Sequence, residues 1–221
     1  RAAHVDHGLH GDSAAWAERC ARQASHLGVP FVQVKVDARP DPGESPEAVA
    51  RNARYGALAA CLSPGEMLLT AHHADDQLET ILMQWLRGGG LRSVAGMPAV
   101  ASFAEGWHAR PLLGYTRAEL HAWACDSGLA WLEDPSNLDP RFDRNFLRLE
   151  VLPALRRRWP AAARTVGRVA SQAAEALEVE AAIAASDLAA VQDGSAISVE
   201  RLQLLPEPRR RWALRAWLRR A

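Results

Sequence analysis

The chain has 221 residues, of which 48% are hydrophobic and eight are tryptophan, and its 26 basic residues balance 26 acidic ones. That is enough apolar material for one large domain, alone or with a smaller companion, around a real core. No apolar run reaches the ~18 residues of a membrane span, no signal peptide is visible, and Cys20, Cys61 and Cys125 form no Cys-x-x-Cys pair, which together indicate a soluble cytoplasmic protein without a zinc or iron–sulfur site.

The chain opens on Arg1-Ala2-Ala3 with a strand already under way over Ala2–Val5, from which we expect a fragment lacking its true start. A loop, Asp6-His7-Gly8-Leu9, leads to a helix around Ala14–Leu27 with Ser13 as N-cap, stopped by Gly28-Val29-Pro30. Phe31–Val36 is a second strand, and a loop over Arg39–Pro46 leads to a helix at Glu47–Leu62. Met67-Leu68-Leu69 reads as a buried strand, followed by a helix at Asp75–Leu86 that runs into Arg87-Gly88-Gly89-Gly90. A short strand near Trp107–Arg110 and a helix at Arg117–Ser127 complete the alternation, which implies an α/β fold built on a parallel sheet with right-handed crossovers. After about Pro153 the character changes. Ala161–Ala190 is an alanine-rich helical arm, Ala196–Val199 a brief strand, and Pro206–Arg220 a basic helix with Trp212, Leu214, Trp217 and Leu218 spaced for one apolar face. Residues 1–150 carry 14 Lys and Arg against 19 Asp and Glu, whereas 151–221 carry 12 against 7. A basic tail behind an acidic part suggests a polyanionic partner, although a solvated helix would account for the tail alone.

The stretch Leu69 to Thr80 carries the most chemistry. Asp75, Asp76 and Glu79 stand three and four residues apart, so all three carboxylates can share one helical face behind His72 and His73. Acids in a first turn suit the helix dipole. Three so close repel one another unless a cation or a ring of donors offsets them, which suggests Mg²⁺-phosphate chemistry at the carboxyl end of a parallel strand. An ordinary acidic helix start is the bland alternative. Asp6 and His7 lie at another strand exit, where a plain turn would also serve. Arg51 and Arg54 share a helical face and could clamp phosphates or simply face solvent. The Gly88-Gly89-Gly90 run follows a helix and lacks the Lys-Ser/Thr of a Walker loop. Arg144 and Arg148, four apart behind Glu133-Asp134-Pro135-Ser136-Asn137, suit an anion or RNA-backbone contact, while a capped helix start explains Asp143 and Asn145 equally well. The remaining histidines are too dispersed for a metal site, and no serine sits in a nucleophile elbow.

Taken in order, Val5–Leu9, Glu47–Tyr55, Thr70–Thr80, Arg87–Met97, Arg110–Leu113, Glu133–Asn137 and Asp143–Arg148 resemble the tRNA(Ile)-lysidine synthetases, a branch of the N-type ATP pyrophosphatase (PP-loop) family. The resemblance covers nearly the whole chain. It implies an adenine nucleotide alpha hydrolase-like parallel sheet with helices on both faces over residues 1–152. A linker helix and the start of a smaller, tRNA-binding helical domain would follow over 153–221. The family's Ser-Gly-Gly-x-Asp-Ser loop appears nowhere here. It should precede Arg1 by roughly one strand and one helix, so we expect truncation at both ends and no turnover by this polypeptide alone. The reaction implied is ATP-dependent attachment of free L-lysine to C2 of the wobble cytidine in a tRNA(Ile) with a CAU anticodon, through an adenylated cytidine. By match to the motif, His73, Asp75, Asp76 and Glu79 would be catalytic, with Asp76 and Glu79 serving Mg²⁺. Asp6, His7, Arg51, Arg54, Arg144 and Arg148 would contact ATP, its products or the tRNA. The resemblance leaves a homodimer open. The rivals are a 2-thiolating PP-loop enzyme, a PP-loop amidotransferase synthetase and, for a fragment, a non-catalytic tRNA-binding module.

Overall fold

A computed structural model describes residues 1–8 and 11–219; Leu9 and His10 of the first loop, and Arg220 of the last predicted helix, lie outside the described residues. The elements follow in chain order: β1 (Ala2–Asp6), α1 (Ser13–His26), β2 (Phe31–Lys35), α2 (Pro46–Ala60), β3 (Met67–Leu69), α3 (Ala74–Leu86), α4 (Leu91–Ala95), β4 (Val100–Phe103), β5 (Gly106–Ala109) and α5 (Arg117–Asp126). After a 3-10 turn at Pro135–Leu138 come α6 (Asp143–Phe146), a π-helical turn (Leu147–Val151), α7 (Leu152–Arg158), α8 (Ala162–Val191), β6 (Gln192–Asp193), β7 (Ala196–Ile197), α9 (Val199–Leu204) and α10 (Glu207–Leu218).

Packing groups these into two compact units, one of Arg1–Ala71, Ala99–Pro111 and Ala122–Asp134, the other of His72–Pro98, Leu112–His121 and Pro135–Ala221. This line falls elsewhere than the expected 152/153 boundary because α8 packs on α3 and α4, ahead of it in the chain.

In the first unit β1 and β2 run parallel in the register Ala2↔Phe31 to Asp6↔Lys35. β3 and β5 are likewise parallel, Met67↔Trp107 to Leu69↔Ala109. α1 packs on β1 and β2, and α2 on β1, so the expected parallel strands with packed helices are present. β4 was not foreseen. It pairs antiparallel with β5 through a tight turn in which Ala104 takes a left-handed φ of 48°. Gly106 has no room for a side chain, since a Cβ there would come within 2.1 Å of the Glu66 carbonyl oxygen. α1 takes in Ser13 as its first residue and places Asp12 at the cap, one residue before the expected cap. Ser45 caps α2 by accepting the Ala48 N–H at 3.5 Å, and Pro46 follows in the first turn, where its missing N–H costs nothing.

The second unit is helical. Ala74, Leu78, Leu152 and Ala163 form its core, flanked by Leu82, Leu155, Ala162 and Val166. Fully burying leucines such as Leu78 and Leu152 contributes about 1.5–3 kcal/mol each. Along α8 the buried positions are mostly alanines, Ala163, Ala170, Ala173 and Ala184, which let neighbouring helices approach closely. α10 packs on α8 through a stripe centred on buried Ala213, with Trp212, Leu214 and Trp217 half-buried. Leu218, placed on that face by the sequence, is 65% exposed instead. It stands five residues beyond Ala213, which carries it around the helix and off the stripe. The buried carboxylate of Asp187 on α8 accepts hydrogen bonds from Arg209 of α10.

Candidate active site

Between β3 and α3 the chain leaves an extended conformation at His73 (φ −125°, ψ 179°), and that residue caps the helix. Its Nδ1 accepts the Asp76 N–H at 3.2 Å, and its own N–H donates to Asp76 Oδ2 at 3.0 Å, a reciprocal capping box. This fixes the ring tautomer, since Nδ1 must be the acceptor.

The three acids then diverge. Asp75 is buried and held on both oxygens: Arg156 Nη2 of α7 donates to Oδ1 at 2.6 Å and the Arg117 N–H of α5 to Oδ2 at 2.7 Å. Asp76 Oδ1 accepts Arg144 Nη2 at 2.9 Å. Glu79, only 1% exposed, accepts three hydrogen bonds. Arg148 donates from Nε to Oε1 and from Nη2 to Oε2, both at 2.8 Å, and Arg144 Nε donates to Oε2 at 2.7 Å. The bonds it donates to Glu79 hold the Arg148 guanidinium even more firmly protonated than usual. Of the two offsets open to such an acid cluster, the chain supplies the ring of donors: three carboxylates face Arg144, Arg148 and Arg156.

The structure thus brings together His73, Asp75, Asp76, Glu79, Arg144 and Arg148 within the second unit. The expected pairing of Asp76 and Glu79 as Mg²⁺ ligands does not fit this arrangement. Each of their oxygens already accepts a guanidinium or amide N–H, and a divalent ion there would lie against the charges of Arg144 and Arg148. No three His, Cys, Asp or Glu side chains among the described residues are arranged to hold an ion. Arg156 was not foreseen. It belongs to the run Arg156-Arg157-Arg158, whose spacing does not distinguish a buried anchor from its solvated neighbours.

Asp6, His7, Arg51 and Arg54 belong to the first unit. Asp6 Oδ1 accepts the Gly8 N–H at 2.9 Å, an Asx-type turn with Gly8 at φ 64°. That N–H, followed by burial in opposition and the Lys35 charge, holds the Asp6 carboxyl below its ordinary range. His7 Nδ1 is buried without a hydrogen-bond partner among the described residues. Burial first, then the Arg54 charge, pushes the imidazole below its usual pKa. Arg51 and Arg54 both lie over the Tyr55 ring, at 4.9 and 5.6 Å from its centroid.

Beside them is a cluster the sequence did not single out. Tyr55, Phe103 and His108 pack ring against ring at 5.7–5.9 Å. His108 Nδ1 accepts from Arg110 Nη2 at 3.0 Å, so its proton sits on Nε2 and points to Thr70 Oγ1 at 2.8 Å. Arg110 lies in a motif quoted for the family resemblance, yet nothing in its spacing marked it as buried.

A profile of the PP-loop domain matches residues 1–155. The chain belongs to the PP-loop family. Its relatives include tRNA(Ile)-lysidine synthases from Alkalilimnicola ehrlichii, 47% identical over 99% of this chain and 49% of that protein, and from Methylococcus capsulatus, 44% identical over 99% and 50%. The one from Pseudomonas aeruginosa is 44% identical over 98% of this chain and 51% of its own length. The chain spans about half the length of the curated relatives it matches. Among solved structures, the U34-tRNA thiolase NcsA from Methanococcus maripaludis shares the PP-loop fold, with a TM-score of 0.57 at 14% identity over 77% of this chain and 60% of that one. No helix among the described residues is long and apolar enough to cross a membrane.

Proposed function

We propose that this PP-loop chain is the catalytic and linker part of an enzyme that joins lysine to C2 of the wobble cytidine in a tRNA(Ile) with a CAU anticodon. The observation that carries the reading is 44–47% identity to tRNA(Ile)-lysidine synthases along 99% of the chain. In the first step the cytidine O2 attacks the α-phosphate of ATP and pyrophosphate leaves. In the second the lysine ε-amine attacks C2 and AMP leaves with the oxygen. The cytidine must be unstacked to react, which an anticodon loop permits.

Residues 1–152 would carry this chemistry and 153–221 would begin the part that grips tRNA. In the second unit Arg144 and Arg148 would take phosphate charge, and in the first Arg51 and Arg54 would each be able to do so. Asp6 and His7, at the exit of β1, would line the nucleotide. His73 would approach the reacting groups, and Asp76, more open than Glu79, would meet the lysine ammonium. Asp75 would keep α5 and α7 in place. Mg²⁺ enters this reading only as the counter-ion ATP carries, because it keeps most of its water and needs few protein ligands.

Incorporation of labelled lysine into tRNA(Ile) bearing CAU, with ATP, tests it using the full chain. Incorporation that vanishes when the wobble cytidine is replaced is the expected result. Pyrophosphate release without lysine transfer would retain ATP chemistry and refute lysidine formation.

A further inference from the structure

We propose that Glu79 is a positioning residue: its buried carboxylate holds Arg144 and Arg148 as one preorganised donor pair for the phosphoryl oxygens of an anionic ligand. The inference rests on the reading above, in which these arginines take phosphate. It reverses the role that three adjacent acids suggest from sequence, namely capture of a cation.

Glu79 spends three of its roughly four acceptor sites on the two guanidiniums, through bonds at 2.7–2.8 Å. A cation reaching its oxygens would have to displace both and would then lie beside two like charges. The arginines, in contrast, keep donors in hand. Arg144 uses Nε and Nη2, and so does Arg148, leaving Nη1 of each without a hydrogen bond among the described residues. Their side chains retain 24% and 26% exposure, against 1% for Glu79. A long arginine side chain ordinarily loses rotamer freedom when it binds an oxyanion, and a buried carboxylate that fixes it beforehand removes that cost. The backbone contributes as well. Arg144 lies in α6, but Arg148 lies in the π-helical turn Leu147–Val151, whose wider winding changes where a residue four positions on is aimed. With that turn, one carboxylate binds both guanidiniums.

Calorimetric titration of the full chain with inorganic pyrophosphate, AMP, an anticodon stem-loop RNA and L-lysine tests the assignment, using Glu79→Gln, Arg148→Ala and the double variant. Glu79→Gln is expected to weaken pyrophosphate and AMP about tenfold, the scale of one charge-assisted hydrogen bond, with lysine affinity kept within about twofold. The double variant should bind more weakly than Arg148→Ala alone, but by less than the Glu79→Gln effect in the native background, because part of what Glu79 does is done through Arg148 and the rest through Arg144. Weakening confined to the RNA would support the donor pair and identify backbone phosphate as its source. Unchanged phosphate binding with lost lysine binding would overturn the inference and leave the lysidine reading standing. A native chain that binds no pyrophosphate, AMP or ATP would overturn both. Should Glu79→Gln fail to fold, Glu79→Asp keeps the charge but shortens the reach; it should bind pyrophosphate several-fold more weakly, and native affinity would refute the role.

Discussion

His108 sits between a hydroxyl and a guanidinium, and this placement fixes both its tautomer and its response to acid. Burial, then the charges of Arg110 and Arg51, hold its pKa below 6.5. The unfolded chain therefore takes up a proton at this position before the folded one does. His108 contributes its full stability above 6.5 and loses it as pH falls below that value. Native protein should show a falling urea midpoint as pH is lowered from neutrality through 6.5. His108→Gln should flatten that fall without abolishing it, since His7 is depressed in the same direction; parallel curves would contradict the burial argument. Asp76 is tested differently. Asp76→Asn keeps the side chain's shape but removes the charge that Arg144 and, by proposal, the lysine ammonium use. Lysine incorporation should drop about 10–100-fold, the loss of roughly 1.5–3 kcal/mol, with the circular dichroism spectrum unchanged; native rates would exclude any role in the reaction.

At the scale of elements, α3 links core to site. Its inner face carries Leu78 and its first turns carry Asp75, Asp76 and Glu79. Leu78→Ala should cost about 2–5 kcal/mol in denaturant unfolding, through lost burial and the cavity left behind. A second anchor is Gln77, whose side chain accepts the Met97 N–H at 2.7 Å and donates to the Met97 carbonyl at 2.9 Å. Gly96 makes room for it: φ is +60°, and a Cβ there would meet Gln77 Oε1 at 2.6 Å. Gly96→Ala should therefore destabilise by about 1–3 kcal/mol, the cost of holding alanine at φ 60° and ψ −140°, a backbone region that glycine enters freely and alanine does not; an unchanged unfolding midpoint would mean that the turn rearranges and Gln77 swings aside. What the sequence disclosed divides along the same line. The strand–helix alternation and the cluster from His73 to Glu79 are local patterns with a period, and both were legible. The partners of that cluster lie 65 to 81 residues away, at Arg144, Arg148 and Arg156, where arginine marks no particular acid. The offsetting charge was thus left open between a metal and donors. β4 was missed for a related reason: Val100–Phe103 is too short to declare a period, and only pairing with β5 makes it a strand.

For the molecule as a whole, charge is divided along the chain, with a net +5 over residues 151–221. If this part meets RNA, its affinity should fall steeply with salt. Replacing exposed Arg211 and Arg215 of α10 by alanine should weaken binding for all sequences alike and reduce the slope of log affinity against log salt by about 1 to 2; a sequence-selective loss would instead place these arginines against bases. The two parallel strand pairs carry a consequence of another kind. The Ala2 N–H donates to Pro30 and the Asp6 carbonyl accepts from Val36, so alternation turns the amides of Ala3 and Val5 away from β2. On β3 the Thr70 N–H and the Glu66 carbonyl serve β5, turning the amides of Met67 and Leu69 away, and both those side chains are at least half exposed. Among the described residues each pair thus ends in a hydrogen-bonding rim that neighbouring molecules can extend. The 221-residue polypeptide handled alone is therefore expected to be adhesive, with light scattering that climbs with concentration and subsides when a short extended peptide occupies the rim.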